Sequence, residues 1–368
     1  MVRILQFTAP RRAVFALLLA LVFPVAASAQ VEGLSELSDT DFIERFRTRI
    51  SPDQLRFTSD PVRFTDGHKC SFHLMAEAAR RLPLMSIADR QIMQTLLAAP
   101  ATQTSVLSPS GRFRVHFDTT GKHAPAMLDT DGSRIPGTHA EYADSVAAIY
   151  DYVFAVEIGE CGYERPPFEP GKNEYQVYIQ EYGASPYYGE TFYPTPIDDP
   201  AGVLPTYACY IQMDNDYSSH YSKGLDGARV TAAHEFYHVI QIGRYGLQAN
   251  NAWMHEMTSS YYEEVVFPLV NDYIFYVRNF MREPDRPMHM MGDDGYDLVL
   301  WPLFLEQRFG PDILRRIWMD MQNGEPLSSM RQQIAMRRGD FSTEFCAWAR
   351  SIYFTAWRTW RLDPPAYT

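Results

Sequence analysis

The segment His234-Glu235-Phe236-Tyr237-His238 sets two imidazoles four residues apart, with a carboxylate directly after the first. On an α-helix, positions i and i+4 lie one above the other, so both histidines address the same point in space and can share one ion. Glu235 then stands beside that ion rather than on it, placed to act as general base on a metal-activated water. The flanks are apolar at Val230, Ala233, Val239 and Ile240, and neither Pro nor Gly interrupts the stretch from Ala228 to Ile242. That is the pattern of a buried helix. A buried helix holds three ionisable groups within five residues only if they pair or bind a metal. The chemistry expected is that of a zinc hydrolase.

The chain has 368 residues, enough for one large or two ordinary domains, and its aromatic content of 14% argues for a packed body rather than disorder. A formal charge of −12, without clustered Lys or Arg on any face, excludes nucleic acid as an expected partner.

The first residues read as a targeting segment. Arg3, Arg11 and Arg12 precede an apolar run from Ala13 to Phe23, and Ala27-Ser28-Ala29 supplies small residues for cleavage after Ala29. The run is short for a membrane span, and no other stretch approaches eighteen apolar residues. The expected location is periplasmic or extracellular, with no integral membrane segment after cleavage. In an oxidising compartment the even set Cys70, Cys161, Cys209 and Cys346 reads by default as two disulfides, with Cys161–Cys209 and Cys70–Cys346 the preferred pairing. The alternative for Cys70, within His68-Lys69-Cys70, is a free thiolate capping the metal in a precursor.

From Gln30 to about Ser108 the pattern predicts helices over Leu37–Ile50, Phe72–Leu82 and Ile87–Leu97, either as a propeptide or as an integral amino-terminal segment, with Arg80-Arg81 a possible processing point. Gly111 to Asp118 alternates polar and apolar and predicts the first strand. The acidic loop Asp129-Thr130-Asp131-Gly132-Ser133 lacks the spacing of a helix–loop–helix calcium site, and reads as a turn before it reads as a Ca2+ site at Asp129 and Asp131. A helix is predicted from Ala140 to about Val156, with strands at Tyr175–Gln180 and Thr206–Met213. A loop rich in Gly, Pro and Tyr is expected between those strands, from Tyr182 to Pro205. The second strand is a candidate for the cleft edge, where an extended peptide could pair. Beyond the central helix, helices are predicted over Asn251–Val266, Asp272–Met281, Asp297–Phe309, Pro311–Met321 and Phe341–Trp357. Gly310 followed by Pro311 fits a stop and a new first turn. The fold class is α+β.

A catalytic zinc takes three protein ligands plus water. A third histidine six residues past His238 is excluded, because Gln241 and Arg244 stand along that path. A carboxylate on the following helix is available instead: Trp253-Met254-His255-Glu256-Met257-Thr258-Ser259 places Glu256 eighteen residues beyond His238. His255 competes, but it points about 100° from Glu256 on one helix, so only one of them faces the metal, and Glu256 is preferred.

Together, His234-Glu235-x-x-His238 and Trp253-x-x-Glu256-x-x-Ser259 resemble the gluzincin metallopeptidases, whose aminopeptidase branch carries a W-x-x-E-x-x-A segment at about this distance. The chain is more similar still to a group of secreted, largely uncharacterised bacterial metalloproteases first described in myxobacteria. That similarity runs from about Gly111 to Trp318 and includes Phe113 to Gly121, Val177-Tyr178, Asp214-Asn215-Asp216, Asn271-Asp272-Tyr273 and Tyr296 through Gly310. The resemblance implies a zincin-like catalytic domain over 110–368, with a small mixed sheet, an active-site helix and a mostly helical C-terminal part. It also implies one catalytic Zn2+ on His234, His238 and Glu256, with Glu235 as general base and a peptide or protein as substrate. The Gly-x-Met-Glu-Asn segment by which gluzincin aminopeptidases anchor substrate is absent. Tyr296 is the candidate to stabilise the oxyanion, while Tyr237 is expected to pack. Two rival readings remain at this point. One is a hydrolase of non-peptide esters or amides at the same site. The other is a secreted binding or envelope protein on a catalytically silent zincin-like fold, against which the intact Glu235 argues.

Overall fold

In the computed structural model of the protein, the residues described are 33–50, 69–183, 185–197, 203–282, 284–288 and 295–353. The expected signal segment and its cleavage site at Ala29 lie outside them. No helix among the described residues is long and apolar enough to cross a membrane. The chain divides into two units, Met1–Leu37 and Ser38–Thr368. Among the described residues, the first contributes a 3-10 turn at Leu34–Glu36.

The second unit is α+β. Helices α1 (Asp39–Ile50), α2 (Phe72–Arg81) and α3 (Ile87–Leu96) come first. Strand β1 (Thr104–Leu107) then joins the sheet from within the stretch expected to be helical. Strand β2 (Phe113–Phe117) buries Phe113, Val115 and Phe117 on one face, as its alternation requires. Helix α4 (His139–Phe154) runs on into a π-helical turn at Ala155–Glu160. After it come β3 (Tyr175–Gln180), β4 (Gly189–Ile197) and β5 (Thr206–Asp214). The sheet order is β1-β2-β3-β5-β4. Strands β2, β3 and β5 run parallel, and antiparallel partners flank them at both edges.

Two expectations about the sheet are corrected by this order. The segment from Tyr182 to Pro205 is not simply a loop, because it contains β4. Nor does β5 lie at an edge, since it is hydrogen-bonded to β3 on one side and to β4 on the other. The edge is β4, where Pro194 and Pro196 are tolerated because an edge strand has one side free of ladder bonds. The register slips between Phe192 and Thr195, around the first of these prolines.

The central helix α5 (Gly224–Ile240) packs on the sheet through Phe236, whose ring meets Phe113 and Tyr175 edge-on at 5.2 and 5.3 Å. Its opposite side meets α6 (Ala252–Val266), where Tyr237 stacks on Tyr262 with ring centroids 4.1 Å apart. The hydroxyls of both tyrosines donate to Tyr163 Oη at 2.9 and 2.8 Å, so Tyr237 does pack as expected and its polar tip is satisfied. Helix α7 (Tyr273–Phe280) and a 3-10 turn at Tyr296–Leu298 lead into α8 (Leu300–Phe309). Then follow α9 (Ile313–Met321), α10 (Pro326–Met336) and α11 (Phe341–Tyr353). Helix α10, not anticipated from the sequence, begins with Pro326 in its first turn, where the missing N–H costs nothing. Trp301 on α8 anchors this end of the molecule, packing against Phe341, Phe345 and Trp348 of α11.

Candidate metal centre

Helix α5 delivers His234 and His238 to one point, and α6 delivers Glu256 to the same point. The two Nε2 atoms are 3.1 Å apart, and Glu256 Oε2 lies 3.1 Å from the first and 3.4 Å from the second. Cys70, directly before α2, completes the group: its Sγ is 3.2 Å from Glu256 Oε1 and 3.6 Å from His238 Nε2. The four ligand atoms lie within 4.8 Å of one another, a cluster that could hold a metal ion, and all four residues are buried. His255 turns away from the cluster to Gln241, so the choice between these neighbours falls to Glu256.

The far side of each imidazole is fixed by a neighbour. His234 Nδ1 meets Glu263 Oε1 at 2.7 Å, and His238 Nδ1 meets Gln241 Oε1 at 2.8 Å and Ser259 Oγ at 3.1 Å. The Gln241 amide can sit only one way round. Its nitrogen donates to the His255 carbonyl at 3.1 Å, and a carbonyl only accepts, so Oε1 is left facing the imidazoles. His238 therefore carries a proton on Nδ1 and turns its Nε2 into the cluster. This outer support is what metal-ligating histidines require for orientation and basicity.

Two imidazoles and a buried carboxylate converging at about 3 Å demand positive charge between them. Burial pulls the His234 pKa down, but Glu256 and Glu263 outweigh it and lift the imidazole to about 9. Burial pushes Glu256 up, yet His238 and His234 hold it well below the usual carboxylate range. A proton on His234 supplies the charge that a cation in the same place would supply, so the donor set fits a metal ion. Nitrogen, oxygen and sulfur donors in one group suit a transition-metal ion.

Glu235 faces the sheet side of this cluster. Its Oε2 accepts from Thr191 Oγ1 of β4 at 2.7 Å, while Oε1 is buried with no partner among the described residues. Burial raises its pKa, and the two histidines and Thr191 only partly offset that. Gly189 of β4 makes the approach possible, because a Cβ there would lie 2.6 Å from Thr231 Cγ2 and 3.4 Å from Glu235 Cγ. Tyr296 also stands at the site. Its ring stacks near His234 at 5.7 Å, and its hydroxyl accepts from Cys70 N at 3.0 Å.

Behind the ligands lies a buried charge network that the sequence reading missed. Lys69 Nζ lies 2.6 Å from both Glu263 Oε2 and Asp272 Oδ2, all three nearly inaccessible. Asp272 also accepts from Ser222 Oγ and from Tyr188 Oη, the latter at 3.0 Å. The signal for Glu263 was present: seven residues beyond Glu256, it shares that residue's helix face.

Other expectations are settled elsewhere in the molecule. All four cysteines are free, so neither disulfide forms. Cys70 cannot pair with Cys346 because it is buried beside His238 and Glu256 while Cys346 is exposed on α11. At the proposed Ca2+ loop the Asp129 carboxylate accepts from Asp131 N and Ser133 N, both at 2.9 Å, which makes it a turn-capping group. Arg81 of the dibasic pair is buried and ion-paired with Glu77 and Asp39.

Residues 222–360 match the model of a family of unknown function, DUF6055. The matched stretch contains His234, Glu235, His238, Glu256 and Tyr296 but not Cys70. No curated protein and no solved structure gives a match to the chain.

Proposed function

We propose that this chain is an exported, zinc-dependent metallopeptidase of gluzincin type, with the metal on His234, His238 and Glu256. The observation that carries the reading is the convergence of two outwardly anchored imidazoles and Glu256 beside a buried carboxylate that has one oxygen unused. Bound zinc would supply Lewis acidity, polarising a peptide carbonyl and making a nearby water easier to deprotonate. Glu235 takes the water's proton on Oε1, while Thr191 holds Oε2 and fixes the plane of the carboxylate. The raised pKa of Glu235 suits this role, because a base closer to the working pH returns its proton readily to the leaving amine. Tyr296 is the group available to donate to the developing oxyanion.

Glu235→Gln keeps the size and polarity of the side chain and removes the base. In a parent protein with measurable turnover, hydrolysis of a peptide library should fall to background while bound zinc, measured by elemental analysis, stays unchanged. Residual activity near that of the same parent would refute the assignment of Glu235. A protein that binds no zinc at neutral pH would instead favour the binding-protein reading.

A further inference from the structure

A catalytic metal site keeps one position open, whereas a site closed by four protein ligands is inert. The cluster has a fourth donor, and it arrives on a stretch of chain sunk across the site: Lys69, Cys70, Ser71 and Phe72 are each no more than 3% exposed. Every one of them is engaged there. Lys69 meets Glu263 and Asp272, and its carbonyl accepts from Tyr188 N at 2.9 Å. The Cys70 thiol donates to Glu256, and its N–H donates to the Tyr296 hydroxyl. Ser71 Oγ donates to Glu190 Oε1 at 2.6 Å, and the Phe72 ring stacks on His238 at 4.9 Å and on His255 at 4.4 Å. Tyr188 directly precedes the edge strand β4 and Glu190 is its second residue, next to where an extended substrate would find free backbone groups. Lys69–Phe72 therefore engages, at once, the residues that open the edge strand, the fourth ligand position and the tyrosine proposed to serve the oxyanion.

We propose that Cys70 is the fourth metal ligand, and that Lys69–Phe72 is a built-in plug that keeps the peptidase latent until the segment is withdrawn. This rests on the peptidase reading of the same site and adds its regulation. Cys70 binds as the thiolate, its proton leaving to bulk water, and while it is bound no water can stand where Glu235 could deprotonate it. Burial of the whole stretch means that the latent state is the folded resting state; loss of the Cys70 ligand opens the metal position in part, and full release requires movement of the segment as a unit.

The test uses the full chain loaded with Co2+ in place of zinc, together with Cys70→Ser and Cys70→Ala. Wild type should bind one Co2+ and show a thiolate-to-cobalt charge-transfer band in the near ultraviolet. Both variants should bind the ion, lose the band and hydrolyse a peptide library at least tenfold faster. Bound Co2+ without the band in wild type overturns the proposal. Variants that bind metal but are no faster than an active wild type overturn the plug and leave the peptidase reading standing. If neither wild type nor variant cleaves any peptide, the peptidase reading falls and latency falls with it, while the band still decides whether sulfur is a ligand. Should the variants fail to fold, wild type alone decides by peptide mapping after iodoacetamide treatment. With the buried segment opened in mild denaturant, Cys70 should be protected in the metal-loaded protein and labelled after chelation, and equal labelling in both refutes coordination.

Discussion

Lys69→Met removes the ammonium from the charge network while keeping a straight, apolar stem of similar length. In the wild type one cation neutralises two buried carboxylates at 2.6 Å each. The variant leaves Glu263 with only the His234 contact and Asp272 with Ser222 and Tyr188. Breaking a buried pair in this way costs about 3–5 kcal/mol, because the uncompensated charge stays behind. For a unit of this size that is on the order of 5–10 °C in Tm. The pH dependence carries the sharper test. In the wild type, burial pushes Asp272 up but Lys69, Ser222 and Tyr188 hold its pKa below the ordinary value. Its contribution to stability is therefore present above the unfolded pKa and lost only as pH falls through the lower, folded one. Burial also pulls Lys69 down, and Asp272 and Glu263 together more than restore it. Its contribution is thus lost only in strongly alkaline solution. The Lys69–Asp272 pair itself therefore adds no slope to the wild-type stability curve between about pH 5 and 9. Without Lys69, burial dominates, one carboxyl takes up a proton on folding, and stability must fall as pH rises across that window. Thermal melts at pH 5 and pH 8 should show a defect that grows with pH. A pH-independent defect, or a loss below about 1 kcal/mol, would refute the claim that this ammonium compensates both acids.

Gln241→Leu removes the acceptor from His238 Nδ1 without opening a large cavity, and zinc affinity measured by chelator competition should drop about 10–100-fold. An unchanged affinity would show that Ser259 alone sets that imidazole. Gly295→Ala would place a Cβ 2.0 Å from the Trp253 carbonyl and 2.6 Å from Met257 N, both backbone atoms of α6, so the turn carrying Tyr296 must shift. Denaturant unfolding should show a loss of about 2–3 kcal/mol, typical of overpacking against atoms that cannot yield. Burial lifts Glu190 to about 8, with Ser71 opposing and Glu235 adding to the rise. An acid whose folded pKa is raised binds more protons folded than unfolded, so its contribution declines as pH climbs from the ordinary glutamate value towards about 8, and Glu190→Gln should flatten that part of the stability–pH curve.

The readable part of this molecule was the part governed by local periodicity. The i, i+4 spacing of His234 and His238 needs only that α5 be a helix, and the 100° step per residue on α6 was enough to separate Glu256 from His255. Alternation found β2, β3 and β5. It missed β4, because Pro194 and Pro196 are strand-breaking signals everywhere except at an edge, and whether a strand is an edge strand is a property of the whole sheet. Gln241 shows the same limit from the other direction. As a residue along the path to a third histidine it signified only that one ligand was missing. In the fold, its carbonyl oxygen meets two imidazoles because α6 offers the His255 carbonyl to the amide on its other end.

Cys70 marks where sequence reasoning had to fail. Its partners lie 168 and 186 residues away, and an even cysteine count in an exported chain points to disulfides whatever the fold does. What decides its role is that Lys69 on one side and Phe72 on the other are both committed to the site, one by charge and one by stacking. A cysteine held between two such anchors cannot reach Cys346 without undoing both. The same two anchors give the site its present character. The ion pair keeps His234 correctly oriented through Glu263, and the Phe72 ring lies against His238. The segment that blocks the metal is thus also part of what orders its ligands, so a change that withdraws it should loosen the metal as well as expose it. Activity gained on withdrawal and metal affinity lost with it are therefore expected to appear together in any variant that weakens Lys69 or Phe72. In Cys70→Ser, which removes one ligand but leaves both anchors in place, the gain in activity should come with only the affinity loss that the missing thiolate itself accounts for.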